Sequence, residues 1–367
     1  MLVCYHRSSS LGQLEFCEQK FFLQYNLSLR DKTNKKALLG TVVHRALQLL
    51  ADKNLAQKNK VGKVVNDDIP NLSYKKCDDL PHITELCFDY YAEHEPEVEL
   101  TKADLRTCIK WVEKAVAYND GELDPRNQNV HATELFFDIE IKKPWAKYRY
   151  EIDGEVLEGY LSIKGTIDLI TQEDDKYFQV LDYKTGKRID WATGEVKTPE
   201  KLQKDTQLLL YYYALKNMYP DWEFFVSIYY INDSKIDGVD TPGGLFSMVF
   251  DEEDYQKAED ILRQKFEYIK SVQQPKLLSR ENTHWKCKYL CKFSEEWENS
   301  GKSTCHFFRD MVKSEGIVKT IEQYGDVSKI SKYGDGGGRL AEDRIERISK
   351  CGFQLEYTRT ILYFSQP

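Results

Sequence analysis

Two acidic residues and a lysine end neighbouring hydrophobic segments of the sequence. Asp168 closes the stretch Gly-Thr-Ile-Asp, and Asp182 and Lys184 stand in the stretch Asp-Tyr-Lys-Thr. If a short turn joins two strands that end here, the carboxylates lie close together, and strand alternation puts Asp182 and Lys184 on one face. Such oxygen ligands suit Mg²⁺ or Mn²⁺, which lowers the pKa of a bound water that a lysine can orient or deprotonate. The spacing favours phosphodiester hydrolysis, with a surface ion pair beside a hairpin as the alternative.

Three further segments carry candidate site residues. His44 ends the stretch Gly-Thr-Val-Val-His in a predicted helix, Glu134 lies in a predicted strand, and Gln207 and Tyr211 are four residues apart in another predicted helix. Taken in order with the two acidic segments, they resemble the motifs of the PD-(D/E)XK nucleases, specifically the RecB-like branch. The resemblance covers roughly residues 8–309.

The resemblance implies a metal centre whose ligands are His44, Asp168, Asp182 and the carbonyl group of Tyr183. Lys184 would serve the attacking water, and Glu134 would support the site, although Glu140 lies on the same strand face. Gln207 and Tyr211 would contact the substrate backbone or brace the site. Each residue also has a purely structural interpretation, and only the joint pattern favours a catalytic centre.

Four of the nine cysteines form a second candidate site. Cys17 lies in the first predicted helix, whereas Cys287, Cys291 and Cys305 lie far downstream. This layout resembles the iron-sulfur members of the RecB-like branch, including AddB-type nucleases and CRISPR-associated exonucleases, in which a [4Fe-4S] cluster joins the two ends of the chain. The spacing departs from the usual pattern, so a Zn²⁺ site completed by Cys17 or His306 stays open. The remaining cysteines are predicted to be unligated: Cys4, Cys77, Cys87, Cys108 and Cys351.

The elements that position these residues alternate between helical and strand periods. Apolar spacing predicts helices over residues 8–25, 40–53, 83–91, 105–118, 206–218 and 252–272, and strands from 132 and over 160–171, 177–183 and 222–231. We therefore expect an α/β fold, a mixed central sheet flanked by helices as in restriction endonucleases. The nuclease domain is predicted over 1–310, with a helical insertion over 54–124, a cysteine cluster over 287–305 and a C-terminal appendage over 311–367.

Composition limits where nucleic acid could bind. With a formal net charge of −8, the 367-residue chain has no overall basic footprint, so DNA contact requires a local patch. One candidate is the loop that holds Trp191 and a run of basic residues: Lys184, Lys187, Arg188, Lys197, Lys201 and Lys204. No apolar run long enough for a membrane span and no signal-peptide core are present, so a cytoplasmic protein is expected.

These inferences predict a metal-dependent DNA exonuclease. By the resemblance it would act on DNA ends or single strands in repair, recombination or replication, alongside a separate helicase or recombination protein. A structure-specific endonuclease is the enzymatic alternative. A non-catalytic DNA-binding subunit is the alternative from another class, which the presence of Asp168, Asp182 and Lys184 together disfavours.

Overall fold

The computed structural model describes residues 1–31, 33–60, 76–190, 194–236 and 238–330. Trp191, Cys351 and most of the predicted appendage therefore lie outside the described residues. The helices of the described part are α1 Ser8–Phe16, α2 Glu18–Phe21, α3 Lys35–Lys58, α4 Leu80–His94, α5 Lys102–Val116, α6 Pro199–Leu202, α7 Thr206–Met218, α8 Glu252–Ser271, α9 Trp285–Leu290, α10 Thr304–Glu315, α11 Ile317–Tyr324 and α12 Val327–Ile330. A π-helical turn, Phe22–Asn26, follows α2.

The strands form one central sheet and two small hairpins. They are β1 Tyr5–His6, β2 Val130–Glu140, β3 Lys147–Ile152, β4 Glu155–Tyr160, β5 Ser162–Asp174, β6 Tyr177–Lys184, β7 Glu223–Tyr230, β8 Ser234–Ile236, β9 Val239–Thr241 and β10 Gly244–Val249. The six-stranded sheet is mixed. Strands β6 and β7 are parallel. Strands β2 and β6 run antiparallel to β5, and β10 runs antiparallel to β7. The parallel pair requires a crossover, which α6 and α7 supply.

The long strand β5 divides one of its edges between two partners. β1 pairs with it in parallel through Ser162 and Ile163, and β6 pairs with it from Leu169 onward. Within the described part of the chain, residues 164–168 therefore have no ladder partner on this edge. β2 runs along the whole opposite edge. Strand β5 is thus paired along one edge by β2 and has an open stretch on its other edge.

Helices cover both faces of the sheet, as the predicted α/β architecture requires. On one face α3, α4 and α5 share a buried cluster with Leu169, Leu181 and Tyr229. On the other face α7, α8 and α10 pack with Ile167 and Val180. The mixed sheet flanked by helices is confirmed, and α4 and α5, which belong to the predicted insertion, pack onto the sheet through α3.

The chain beyond the last catalytic segment returns to the same core. Phe308 of α10 and Ile321 of α11 are fully buried in the cluster that holds α7 and α8. The predicted boundary at residue 310 falls inside α10. In the residues that the structure covers, no helix has both the length and the apolar character to cross a lipid bilayer.

Candidate active site

Asp168 and Asp182 lie next to each other at the open edge of β5. Asp182 is near the end of β6, whereas Asp168 lies in the middle of β5 and not at a strand end as predicted, because β5 continues past it to Asp174. The ladder pairs Leu169 with Leu181, so the next position along each strand holds Asp168 and Asp182. The backbone N–H of Tyr183 donates to Asp168 Oδ2 at 2.9 Å. The side chain of Asp182 is only 2% exposed and that of Asp168 is 15% exposed, so the hairpin places a buried and a partly buried carboxylate side by side.

Each carboxylate faces a basic side chain. Lys184 Nζ lies 2.5 Å from Asp182 Oδ2, and His44 Nδ1 lies 3.2 Å from Asp168 Oδ2. Helix α3 carries His44, and Gly40 lies one turn earlier, where an added Cβ would stand 2.9 Å from Thr185 Oγ1. A larger residue at Gly40 would press against Thr185, so this glycine lets α3 approach the end of β6 and hold its histidine over Asp168.

Helix α7 contacts the carboxylate of Asp182 from the other face of the sheet. Gln207 Nε2 donates to Asp182 Oδ1 at 2.9 Å and to the Tyr211 hydroxyl at 2.7 Å. The Tyr211 hydroxyl donates in turn to the carbonyl oxygen of Thr166 at 3.0 Å. Both residues lie on one face of α7 because they are four positions apart. Their polar groups therefore fix Asp182 relative to the open stretch of β5.

Glu134 also lies at this site, opposite Asp168 across the ladder of β2 and β5. Its φ is +46°, in the left-handed region that a glutamate occupies only at a cost. With His44 and Tyr183 it lines a small cavity beside Asp168. Glu140 is exposed at the far end of β2. The structure thus brings Glu134, and not Glu140, to the carboxylate pair.

The four ionisable groups shift one another's pKa. Burial disfavours the charged form of both carboxyl groups; with Asp168 nearby, it raises the pKa of Asp182. In Asp168 the cations His44 and Lys184 overcome burial and hold its pKa below the ordinary value. Burial by itself would lower the pKa of His44. The attraction to Asp168 is stronger, so the pKa rises to about 9. Asp182 overcomes burial of Lys184 likewise and raises its pKa.

The donor set has the chemistry of a divalent cation site. The two carboxylates are the oxygen ligands that Mg²⁺ or Mn²⁺ prefers, and the imidazole of His44 is a ligand type that softer divalent metals also accept. The raised pKa of Asp182 shows that the buried pair resists carrying two negative charges unless positive charge is added. In their present arrangement, no three His, Cys, Asp or Glu side chains of the described residues form a group that could hold a metal ion.

A cleft of about 220 Å³ opens beside the site. Gln207, Tyr211 and Thr166 line one side of it, and the first residues of α1, Ser8 and Ser9, line another. The cleft therefore lies between the beginning of α1 and the two residues of α7 that contact Asp182, and provides space for a substrate group there.

The basic loop predicted to contact DNA has part of its charge paired with carboxylates. Lys197 forms an ion pair with Asp205 at 2.5 Å, and Lys201 pairs with Glu195. The guanidinium of Arg188 lies 4.5 Å from the centre of the Phe246 ring. These contacts leave the loop less basic than its sequence indicates.

The four predicted cluster cysteines converge from both ends of the chain. The thiols of Cys291 and Cys305 are hydrogen-bonded, which holds the pKa of Cys291 below its ordinary value and raises that of Cys305. Cys17 and Cys287 are near enough to raise the pKa of Cys305 further. Neither these four nor the other described cysteines form a disulfide. In this arrangement the described thiols approach one another but do not form a group of three that could hold a metal ion.

The ring nitrogens of His306 contact oxygen atoms of Ser303 and Arg280 rather than a thiol. Its Nδ1 is 2.7 Å from Ser303 Oγ, and its Nε2 is 2.5 Å from the carbonyl oxygen of Arg280. Both ring nitrogens are engaged, so a zinc site that included His306 would have to break one of these contacts. Cys17 is the fourth group that the fold brings to the three downstream cysteines.

The fold and the site together define a nuclease core, in which a mixed sheet presents paired carboxylates and a lysine at one edge. A family model described as the PD-(D/E)XK nuclease superfamily matches residues 8–295. The chain belongs to that superfamily, as its motifs predicted, and it is therefore a nuclease by family, in a group whose members generally use divalent metals.

Solved structures give only distant similarities. A "Putative exonuclease" from Eubacterium rectale is 12% identical, with a TM-score of 0.43 over 78% of this chain and 87% of that one. The protein SSO0001 is 14% identical, with a TM-score of 0.22 over 69% of this chain and 91% of that one. Both scores are low, so the class of the protein depends on the family match. None of the curated proteins matches the sequence.

Proposed function

We propose that this protein is a DNA exonuclease of the RecB-like branch that hydrolyses phosphodiester bonds with Mg²⁺ or Mn²⁺. The observation that carries the proposal is the pair Asp168 and Asp182 at the unpaired edge of β5, where the buried Asp182 faces Lys184. Ionisable groups whose pKa is shifted by burial and by specific charged neighbours are characteristic of functional sites. The cleft lined by Gln207 and Tyr211, which contact Asp182, would give a phosphate group space near this pair.

Each side chain of the site receives a role from its contacts. The metal ligands would be His44, Asp168, Asp182 and the Tyr183 carbonyl group. A bound cation would polarise the phosphate and lower the pKa of a water. Lys184 holds its ammonium at neutral pH because its pKa is raised, so it would orient the attacking water and neutralise charge on the phosphate. Gln207 and Tyr211 would act as positioning residues through Asp182.

The preference for ends or single strands is proposed from the cysteine layout. Cys17, Cys287, Cys291 and Cys305 would hold a [4Fe-4S] cluster, with Zn²⁺ as the alternative, and their convergence supports a shared ligand. A reducing cytoplasm would keep such thiols available. The pathway would be DNA repair, recombination or replication, with any helicase on a separate chain.

Two alternatives lead to different products. A structure-specific endonuclease would cut a labelled DNA internally, whereas an exonuclease releases mononucleotides or short fragments from an end. A non-catalytic DNA-binding subunit would cleave nothing. The burial of Asp182 beside Lys184 disfavours this last alternative, because a scaffold gains little from burying a carboxyl group.

The test is cleavage of end-labelled and internally labelled DNA, single- and double-stranded, with Mg²⁺, Mn²⁺ or EDTA. Lys184→Ala should lower the rate at least about a hundredfold, the usual scale for a lost catalytic group. Lys257→Ala is the matched control, because Lys257 of α8 pairs with Glu253 and Asp254 and lies outside the site. Equal cleavage by wild type and Lys184→Ala, or none by either, would contradict the proposal.

A further inference from the structure

Helix α9 and the turn after it present aromatic rings and ammonium groups together at the surface. Trp285 is 49% exposed and Tyr289 is 68% exposed, which is unusual for such large side chains. Lys288 and Lys292 are exposed beside them, and Lys286 is half-buried. We call these five residues the α9 surface. Cys287 lies beneath it, buried among the other cluster cysteines.

The ammonium groups of this surface contact rings rather than carboxylates. Lys286 Nζ lies 5.6 Å from the centre of the Phe16 ring and 5.8 Å from that of Trp285. Lys288 Nζ lies 5.3 Å from the centre of the Tyr289 ring. In the part of the chain that the structure describes, none of Lys286, Lys288 and Lys292 forms an ion pair, whereas Lys197 and Lys201 of the predicted DNA loop both do.

The combination of exposed rings and ammonium groups on the α9 surface indicates what kind of partner it binds. Phosphates need unpaired cations, and exposed rings can stack on bases, as in proteins that follow a single strand without sequence preference. Protein interfaces are depleted in lysine, so three lysines around two rings fit a protein partner less well. The net charge of −8 also makes a local cluster of free ammonium groups a marked departure from the rest of the chain.

We propose that the α9 surface binds single-stranded DNA and holds it next to the catalytic cleft. This inference rests on the proposed nuclease function, since it extends the substrate path away from Asp182.

Helix α1 connects the two places. Ser8 and Ser9, at its beginning, line the cleft, and Phe16, at its end, contacts Lys286. A nine-residue helix spans about 13 Å at 1.5 Å per residue. At the roughly 3.4 Å per nucleotide of a strand in B-DNA this distance holds about four nucleotides, and an extended single strand would bridge it with fewer. The surface would therefore grip the strand a few nucleotides from the bond that is cut.

The experiment measures binding without cleavage, in EDTA, by fluorescence anisotropy of a labelled single strand of about 20 nucleotides, longer than one single-strand site. Trp285→Ala combined with Tyr289→Ala should weaken binding at least about tenfold, the scale of one lost stacking contact. Lys288→Ala combined with Lys292→Ala alters only exposed side chains, and should reduce the salt dependence of log K by roughly 0.7 per lost phosphate contact.

Matched controls separate this surface from general effects. Tyr177→Ala removes a ring that is 54% exposed at the start of β6, and Lys257→Ala removes a lysine of α8 that pairs with Glu253 and Asp254. Both should bind like the wild type. If the wild type binds and both α9 double variants bind equally well, the inference is overturned while the nuclease proposal stands. If the wild type neither binds a strand in EDTA nor cleaves one with Mn²⁺, the proposed function fails as well.

Discussion

At the scale of single residues, the site contains equal numbers of acidic and basic side chains. Two carboxylates and two cations neutralise one another, yet the pKa of Asp182 is raised while that of Asp168 is lowered. The difference arises because Asp182 is the more deeply buried of the two, and Asp168 receives His44 and a backbone N–H in addition. Asp182 is therefore the ligand whose charge depends most on an added cation.

Glu134 is the residue whose backbone points most directly to function. A glutamate with φ of +46° costs about 1 kcal/mol or more relative to an ordinary strand conformation, and such cost is retained where a side chain is needed.

We expect Glu134→Gly to unfold at no lower denaturant concentration than wild type, since glycine adopts this φ freely, while DNA cleavage falls about a hundredfold. Glu134→Gln should lose cleavage without changing stability, and Glu140→Gln should keep both. Urea unfolding and the end-label assay measure the two properties on the same preparations. Full cleavage by Glu134→Gly would remove this residue from the site.

At the scale of elements, three segments converge on the open edge of β5. Helix α3 brings His44 from one face, α7 brings Gln207 from the other, and β2 fixes the opposite edge. The convergence depends on close packing at Gly165, which lies directly opposite Phe137. An added Cβ there would lie 2.5 Å from the Phe137 ring. That ring is 4% exposed and has little room to move.

We expect Gly165→Ala to destabilise the protein by about 1–3 kcal/mol, because the alanine overpacks the β2–β5 contact. Phe137→Leu in the same chain should recover part of the loss by making room. A double-mutant cycle from urea unfolding gives the coupling between the two positions. Additive effects of the two substitutions would mean that the ring does not meet position 165.

At the scale of the whole molecule, the first residues of the chain are joined to its later helices. The backbone N–H of Gln19 donates to the Lys276 carbonyl oxygen at 3.1 Å, and Lys20 Nζ donates to the Leu290 carbonyl oxygen at 3.3 Å. The cysteines lie at this same junction, where Cys17 meets the downstream thiols. A cluster here would close a loop of most of the chain, and such closure stabilises the folded state.

If the cluster forms, protein purified without oxygen should contain about four iron atoms and as many sulfides per chain. Cys17→Ser should lower that content and the melting temperature together, whereas Cys108→Ser, at a buried cysteine of the α3–α5 layer, should keep the iron. Elemental analysis and thermal unfolding follow the two effects. One zinc and no iron would favour the tetrahedral alternative, and neither metal would contradict a shared ligand.

The order of the motifs and the periods of the main elements were readable from the sequence. Asp168, Asp182 and Lys184 could be placed together because a short hairpin and strand alternation are local rules, and α7 occupies the range predicted for it. Strands β1, β3, β4, β8, β9 and β10 were missed. β1 has two residues and depends on its distant partner β5, whereas β8 and β9 have only three residues each.

Only the tertiary structure decided three further matters. It chose Glu134 over Glu140, because a left-handed backbone and the register with β5 are invisible in strand periodicity. It paired Lys197 and Lys201 of the predicted DNA loop and left the lysines of α9 without carboxylate partners among the described residues, since ion pairing depends on which side chains fold together. It also brought Cys17 to Cys305 across nearly the whole chain, a contact fixed by packing rather than by any local pattern.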